Sequence, residues 1–130
     1  MGDATRAAYG NILKTEIYKN PKVVVLDADL GNATKSNNFK SVAPDRYFDM
    51  GISEQDMGTA AGFAAAGRIP IVSTFAVFAT GRAFEIIRNS ICYPKLNVKI
   101  CATHAGLTVG EDGGSHQAVE DISLMRPCRI

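Results

Sequence analysis

Two histidines, His104 and His116, are the only ones in the chain. They sit in one stretch, Thr103-His104-Ala-Gly-Leu-Thr-Val-Gly-Glu111-Asp112-Gly-Gly-Ser-His116-Gln, with two carboxylates and four glycines between them. An apolar run precedes this stretch and a helical pattern follows it. Loops at strand ends in open α/β sheets are where ligands bind. Glycines let a backbone come close to a small molecule, although glycine and acidic residues are also ordinary turn material. A zinc site is not expected, because the histidines are twelve apart with no cysteine pair or H-E-x-x-H beside them. The Glu111-Asp112-Gly run lacks the alternating oxygen ligands of a calcium loop.

Glu54 lies in Gly51-Ile-Ser53-Glu54-Gln-Asp56-Met. Ser53-x-x-Asp56 reads as a capping box, which would leave Glu54 in a first helical turn favoured by the helix dipole. The alternative is that Glu54 projects from a strand end into a cleft. Phe75 and Phe78, in Ser73-Thr-Phe75-Ala-Val-Phe78, follow a strand three residues apart. They suit a core; with a carboxylate they also suit a flat heterocycle, the rings by stacking and the carboxylate by a hydrogen bond. The small-sided run 57–67, with Gly58 and Gly62, predicts a close helix contact, between subunits or within the core.

The elements that must position these groups follow from hydrophobic periodicity. A helix is expected over 5–19, stopped by Asn20-Pro21. Buried strands are expected over 22–28, 69–74 and 98–103, and a short one over 46–50. Residues 29–40 read as a polar loop. Helices are expected over 53–67, 76–91 and about 117–125. Strands alternating with helices predict an α/β fold, a parallel sheet with helices on both faces, in one domain over residues 1–130. The ending 126–130 falls where another strand would be expected.

Composition narrows the partners. Fourteen basic and thirteen acidic residues leave a net charge of +1, so nothing electrostatic favours nucleic acid or an anionic membrane. The longest apolar run, 69–79, is too short for a bilayer span. The N-terminus has no signal-peptide pattern. Three cysteines, Cys92, Cys101 and Cys128, suggest reduced thiols and a cytoplasmic protein.

Four motifs in this order resemble the pyrimidine-binding domain of transketolase: Asp27-Ala-Asp29-Leu, Gly51-Ile-Ser-Glu54-Gln-Asp-Met, Ser73-Thr-Phe75-Ala-Val-Phe78, and Ala102-Thr-His104 through Val109-Gly-Glu-Asp112-Gly-Gly-Ser-His116-Gln. The match runs from about Thr5 to Met125. The start resembles that of the separate C-terminal subunit of a split transketolase, here shortened. The resemblance implies a transferase of carbohydrate metabolism, in the pentose phosphate pathway, that uses thiamine diphosphate between two chains. Glu54 would hydrogen-bond the aminopyrimidine ring; a carboxyl shielded from water favours its protonated form and can share that proton. Phe75 and Phe78 would flank the ring, and Asp29 would lie at the subunit contact near the cofactor. His116 would sit near the substrate carbonyl, Asp112 would read a donor-sugar hydroxyl, and Arg6 and His104 would contact the substrate phosphate.

The departures from the family are equally specific. A third aromatic of the family is Gly81 here. The diphosphate and its Mg or Ca ion are held in the family by another domain, so no metal ligand is expected in this chain. The implied partners are a diphosphate-binding transketolase subunit, further copies of this chain in a homo-oligomer, and phosphosugar substrates. The alternatives are a deoxyxylulose-phosphate synthase-like enzyme and a non-catalytic oligomerisation fragment.

Overall fold

The computed structural model describes residues 2–128. Met1, Arg129 and Ile130 lie outside the described residues, and with them the last two positions of the 126–130 ending.

Helix α1 spans Thr5–Thr15 and tightens into a 3₁₀ turn at Ile17–Lys19 before Pro21. Strand β1, Val23–Asp27, is buried throughout. Strands β2 (Tyr47–Asp49), β3 (Ile69–Ser73) and β4 (Lys99–Ile100) complete a parallel sheet in the order β2-β1-β3-β4. The run of β-branched residues in β1 fits a strand covered on both faces. Its side chains alternate accordingly. Val23 and Val25 pack with Leu13, Phe39 and Ile71 on one face. Val24 and Leu26 pack with Met57, Ala60, Val72, Ile87 and Ile91 on the other. The expected α/β architecture is the observed one.

Residues 29–40 are not the expected open loop. They form two single helical turns, α2 (Gly31–Thr34) and α3 (Asn37–Lys40), separated by Lys35 at φ 68. The polar residues that suggested a solvated loop point inward instead. Thr34 and Ser36 are fully buried, and both hydroxyls donate to the Asp27 carboxylate.

The helix expected over 53–67 begins as a 3₁₀ segment, Glu54–Gly58, and continues as α4, Thr59–Ala65. The close contact forecast for its glycines divides. A Cβ on Gly58 would meet Ile86 Cγ2 at 2.5 Å, whereas Gly62 faces open space. The Gly58 contact is therefore internal. The next helix is distorted along its length: wide π turns at Phe78–Arg82, a short α5 at Phe84–Ile86, and π turns again at Ile87–Cys92. Such widenings often lie at functional sites. The last helix, α6, is confined to Asp121–Met125. Gln117 and Ala118 are withdrawn from it, because Ala118 bridges to Gly106 and the Gln117 amide donates to the Leu107 carbonyl.

Candidate active site

Parallel pairing gathers the strand ends on one edge. Asp27, at the end of β1, registers with Asp49 of β2 and Ser73 of β3. The chain leaves β1 for β2 on one side and returns to β3 on the other, so a crevice opens at the carboxyl ends where the strand order reverses. Asp29, Glu54, Phe75 and His104 all lie in segments that follow a strand end.

Glu54 does not behave as a helix-cap carboxylate. It is 2% exposed. Ser53 bonds the Asp56 side chain at 2.5 Å and caps no backbone N–H, so the capping box closes only through its side chains. Gly51, at φ 70, makes the turn that brings the segment inward; this left-handed region is open to glycine at little cost. The Glu54 surroundings are otherwise apolar, with Met57, Val72, Ala79, Ile87, Ile91 and Ile100 around a void of about 10 Å³. Oε2 of Glu54 is buried with no hydrogen-bond partner. Among the described residues the nearest cation is Arg82, a half-exposed side chain whose Nε lies 3.9 Å away, beyond hydrogen-bond range. A buried carboxylate oxygen without a donor is costly unless something else completes it. An aminopyrimidine ring, which brings a hydrogen-bonding nitrogen edge, is a group of that kind, and so the residues present fit the pyrimidine end of thiamine diphosphate.

The two phenylalanines and two histidines form one cluster. The Phe75 and Phe78 rings are nearly parallel, 6.1 Å apart at 8°. The His104 ring lies 4.0 Å from Phe75. The His116 ring meets both phenylalanines edge-on, at 6.0 and 5.3 Å. The backbone sets this up. Phe75 bridges to Thr103, the Ala76 N–H donates to the Thr103 carbonyl, and the Thr103 N–H donates to Thr74. The register of the central strands thus continues past their ends and places His104 beside Phe75. The loop carrying Asp112 and His116 closes at its base by the Gly106–Ala118 pair. Gly110, at φ 93, lets it turn back.

Arg6 reaches this cluster from α1. Its Nη1 lies 3.1 Å from His104 Nε2. The pair lines an open cleft of about 730 Å³ with Thr5, Tyr9, Cys101 and Thr108. Burial, and then the Arg6 charge, push the His104 imidazole below its usual range, while Asp112 works in the opposite direction. Six of the expected site residues, Arg6, Phe75, Phe78, His104, Asp112 and His116, are thereby brought into one neighbourhood. Glu54 belongs to the adjoining wall, since its segment packs against the one holding Phe78 and Arg82. Asp29 is exposed, at φ 59, and opens onto a separate cleft of about 360 Å³ with Asn32, Asn37, Lys40, Tyr47 and Asp49.

Several residues take part without having been assigned a role from the sequence. Asp27 accepts hydrogen bonds from the Leu30 N–H and from the Thr34 and Ser36 hydroxyls. Tyr9 shares a 2.5 Å hydrogen bond with Ser73 on the cleft floor. Thr103 Oγ1 lies 2.7 Å from His104 Nδ1. The Thr74 hydroxyl, 1% exposed, is a second buried polar group without a partner. Asp27, Ser73, Thr74 and Thr103 fall inside motifs that the sequence offered, without a role of their own; Tyr9 lies outside all of them, and its contact with Ser73 joins residues 64 apart.

The chain matches the family described as transketolase, pyrimidine binding domain, over residues 2–129. A Methanocaldococcus jannaschii protein carrying the name transketolase C-terminal section is 55% identical over 122 residues, covering 93% of this chain and 39% of that protein. A 6-deoxy-6-sulfo-D-fructose transketolase subunit from Clostridium sp. is 38% identical over 122 residues, covering 93% of this chain and 38% of its own length. Among solved structures, a split-gene transketolase described as an inactive β4 tetramer superposes with a TM-score of 0.80 at 61% identity, covering 97% of this chain and 40% of that one. The chain therefore spans well under half the length of these relatives.

Proposed function

The chain belongs to the transketolase pyrimidine-binding domain family, and from that premise we propose that it supplies the pyrimidine-binding half of a thiamine diphosphate-dependent transketolase. It transfers a two-carbon ketol unit between phosphosugars together with a separate subunit that carries the diphosphate-binding domain. The observation that supports this most directly is Glu54, buried in apolar surroundings with one oxygen unpartnered. When bound, the cofactor supplies the nucleophilic carbon that takes up the ketol unit. The residues of this chain do the rest. Glu54 holds a proton against the aminopyrimidine ring. Phe75 and Phe78 flank that ring and keep water from it. His116, edge-on to both, faces the substrate carbonyl. Asp112 reads a donor hydroxyl, and Arg6 with His104 holds the charged end of the sugar.

The partner follows from what the cofactor still needs. Its diphosphate and a Mg or Ca ion require a second domain, and we assign exposed Asp29 to the contact with that domain. The β4 assembly of the split-gene relative supports self-association as well. Three free thiols fit a reducing compartment, and we place the protein in the cytoplasm. One relative is named for a sulfosugar, which makes the charge on the distal end of the substrate the open point of specificity. The test is reconstitution: this chain is mixed with a diphosphate-domain subunit, and ketol transfer from xylulose phosphate is followed with and without thiamine diphosphate and magnesium. Turnover that needs both chains and the cofactor is expected. Robust turnover by this chain alone, or none from the assembled pair, overturns the reading.

A further inference from the structure

Arg6 and Thr103 fix the protonation state of His104 when no ligand is bound. A guanidinium only donates hydrogen bonds. The 3.1 Å contact from Arg6 Nη1 therefore makes Nε2 of His104 the acceptor. The ring proton is then on Nδ1, which donates to Thr103 Oγ1 at 2.7 Å. The imidazole is neutral, packed on Phe75 at a tilt of 34° and held on a left-handed backbone, φ 58, that few non-glycine residues adopt. Strain of this kind persists where the surroundings over-determine it, and it clusters at ligand sites.

We propose that His104 takes up one proton when a doubly charged anion enters the Arg6 cleft, so that the cleft selects a phosphate-type dianion over a singly charged sulfonate or carboxylate. This rests on reading the cleft as the site for the charged end of the sugar. An anion that engages Arg6 draws its Nη1 away from Nε2. With a dianion, the Nε2 lone pair then faces a second negative charge that Arg6 does not neutralise, which is repulsive. A proton from solvent turns Nε2 from acceptor to donor and adds a second positive charge. Arg6 and the imidazolium together match two negative charges. Nδ1–H keeps its bond to Thr103 throughout, so the ring does not turn. A monoanion is neutralised by Arg6 alone and draws no proton.

The groups facing His104 have the signs this requires. Arg6 and Tyr9 come from α1, Cys101 from the end of β4, and Asp112 from the loop above. Arg6 opposes protonation in the ligand-free cleft and Asp112 favours it. Tyr9 and Cys101 are both held neutral by burial, since both side chains are pushed above their usual range. The variable charge at the site is therefore the anion itself.

The experiment uses the full chain and imidazole NMR. The signals of the two histidines are told apart with the His116→Gln variant. The pH midpoint of His104 is measured in sodium sulfate, a dianion that does not titrate near neutrality, and in sodium methanesulfonate at matched ionic strength. Sulfate should raise the midpoint by about one pH unit or more. By linkage, sulfate affinity should then weaken by up to about tenfold per pH unit above the ligand-free midpoint. Methanesulfonate should leave the midpoint where it was. If sulfate shifts the Arg6 and Thr108 signals without moving the midpoint, proton uptake is wrong and the substrate-end reading stands. If methanesulfonate moves the midpoint equally, charge selection is wrong. If sulfate perturbs nothing in the cleft, both the proposal and the substrate-end reading fall.

Discussion

Asp27 and Glu54 are both buried carboxylates at the carboxyl edge of the sheet, 0% and 2% exposed. Asp27 ends a strand and is met by three donors, the Leu30 N–H and the Thr34 and Ser36 hydroxyls, all within ten residues of it. Glu54 follows a glycine turn and keeps one oxygen with no donor, the Nε of half-exposed Arg82 lying 3.9 Å away. The burial is the same and the satisfaction is opposite. A saturated buried carboxylate is architecture: it ties α2 and the start of α3 to the end of β1. An unsaturated one costs stability in the free chain, and it persists in a functional protein where a ligand completes it.

Replacing Glu54 should cost the most. In the reconstituted enzyme, Glu54→Gln should lower turnover by about 10²–10⁴-fold, the usual cost of losing a positioned acid–base group. The amide keeps the size but cannot hold a shared proton. Stability should change by no more than about 1 kcal/mol, because no cap or saturated network is lost. Turnover and melting temperature measured on the same preparation check this. Near-wild-type turnover would remove Glu54 from the chemistry.

The Asp27 side predicts the reverse. Asp27→Ala should destabilise the chain by about 2–4 kcal/mol, because two buried hydroxyls and a backbone N–H lose their acceptor. Urea unfolding followed by circular dichroism measures it. Asp27→Asn should recover much of that loss, since one oxygen still accepts and the hydroxyls can rotate to accept from the amide. Once loss of folded protein is corrected for, turnover in the assembled enzyme should change far less than with Glu54→Gln. Glu54→Met, which places an apolar chain among apolar neighbours, should raise stability by about 1–2 kcal/mol while abolishing turnover. If that variant is destabilised, the Glu54 carboxyl is satisfied by something other than a ligand.

The contrast also marks what the sequence could reveal. The Val23–Leu26 run, the alternation of strands and helices, and the turn signals at Pro21 and Gly51 are local, and they predicted a parallel sheet with helices on both faces. The order of motifs pointed to the family. Local reading failed wherever a polar residue was satisfied at a distance. Thr34 and Ser36 read as solvated because nothing nearby in sequence announces that they turn inward to Asp27. Ser53 and Asp56 read as a cap because their spacing allows one; the structure spends that spacing on a side-chain pair and buries Glu54. Gln117 and Ala118 read as helix, but their partners, Leu107 and Gly106, lie across a loop. The contact of Arg6 with His104 joins residues 98 apart in sequence, and no pattern in the chain predicts its geometry.

Asp27 should also give the folded chain a weak pH dependence. Burial raises its pKa above the ordinary 3.8, with the hydrogen bonds from Ser36, Leu30 and Thr34 opposing that shift and the Asp49 charge adding to it. A carboxyl whose folded pKa is raised binds its proton more tightly in the folded chain than in the unfolded one. Its contribution to stability is therefore fully present below about 3.8 and is lost as pH rises through the folded value, the opposite of the usual salt-bridged aspartate. Other carboxylates titrate in the same range, so the quantity to measure is the difference in unfolding free energy between the parent chain and Asp27→Asn. The parent should lose ground to the variant as pH rises through the window just above 3.8, and the difference should then stay flat toward neutrality. A difference that runs the other way, with the parent gaining on the variant over that window, would mean that the three donors outweigh burial. Asp27 would then be an anion stabilised by its own donors, with no call on a ligand, whereas the Glu54 oxygen still has none.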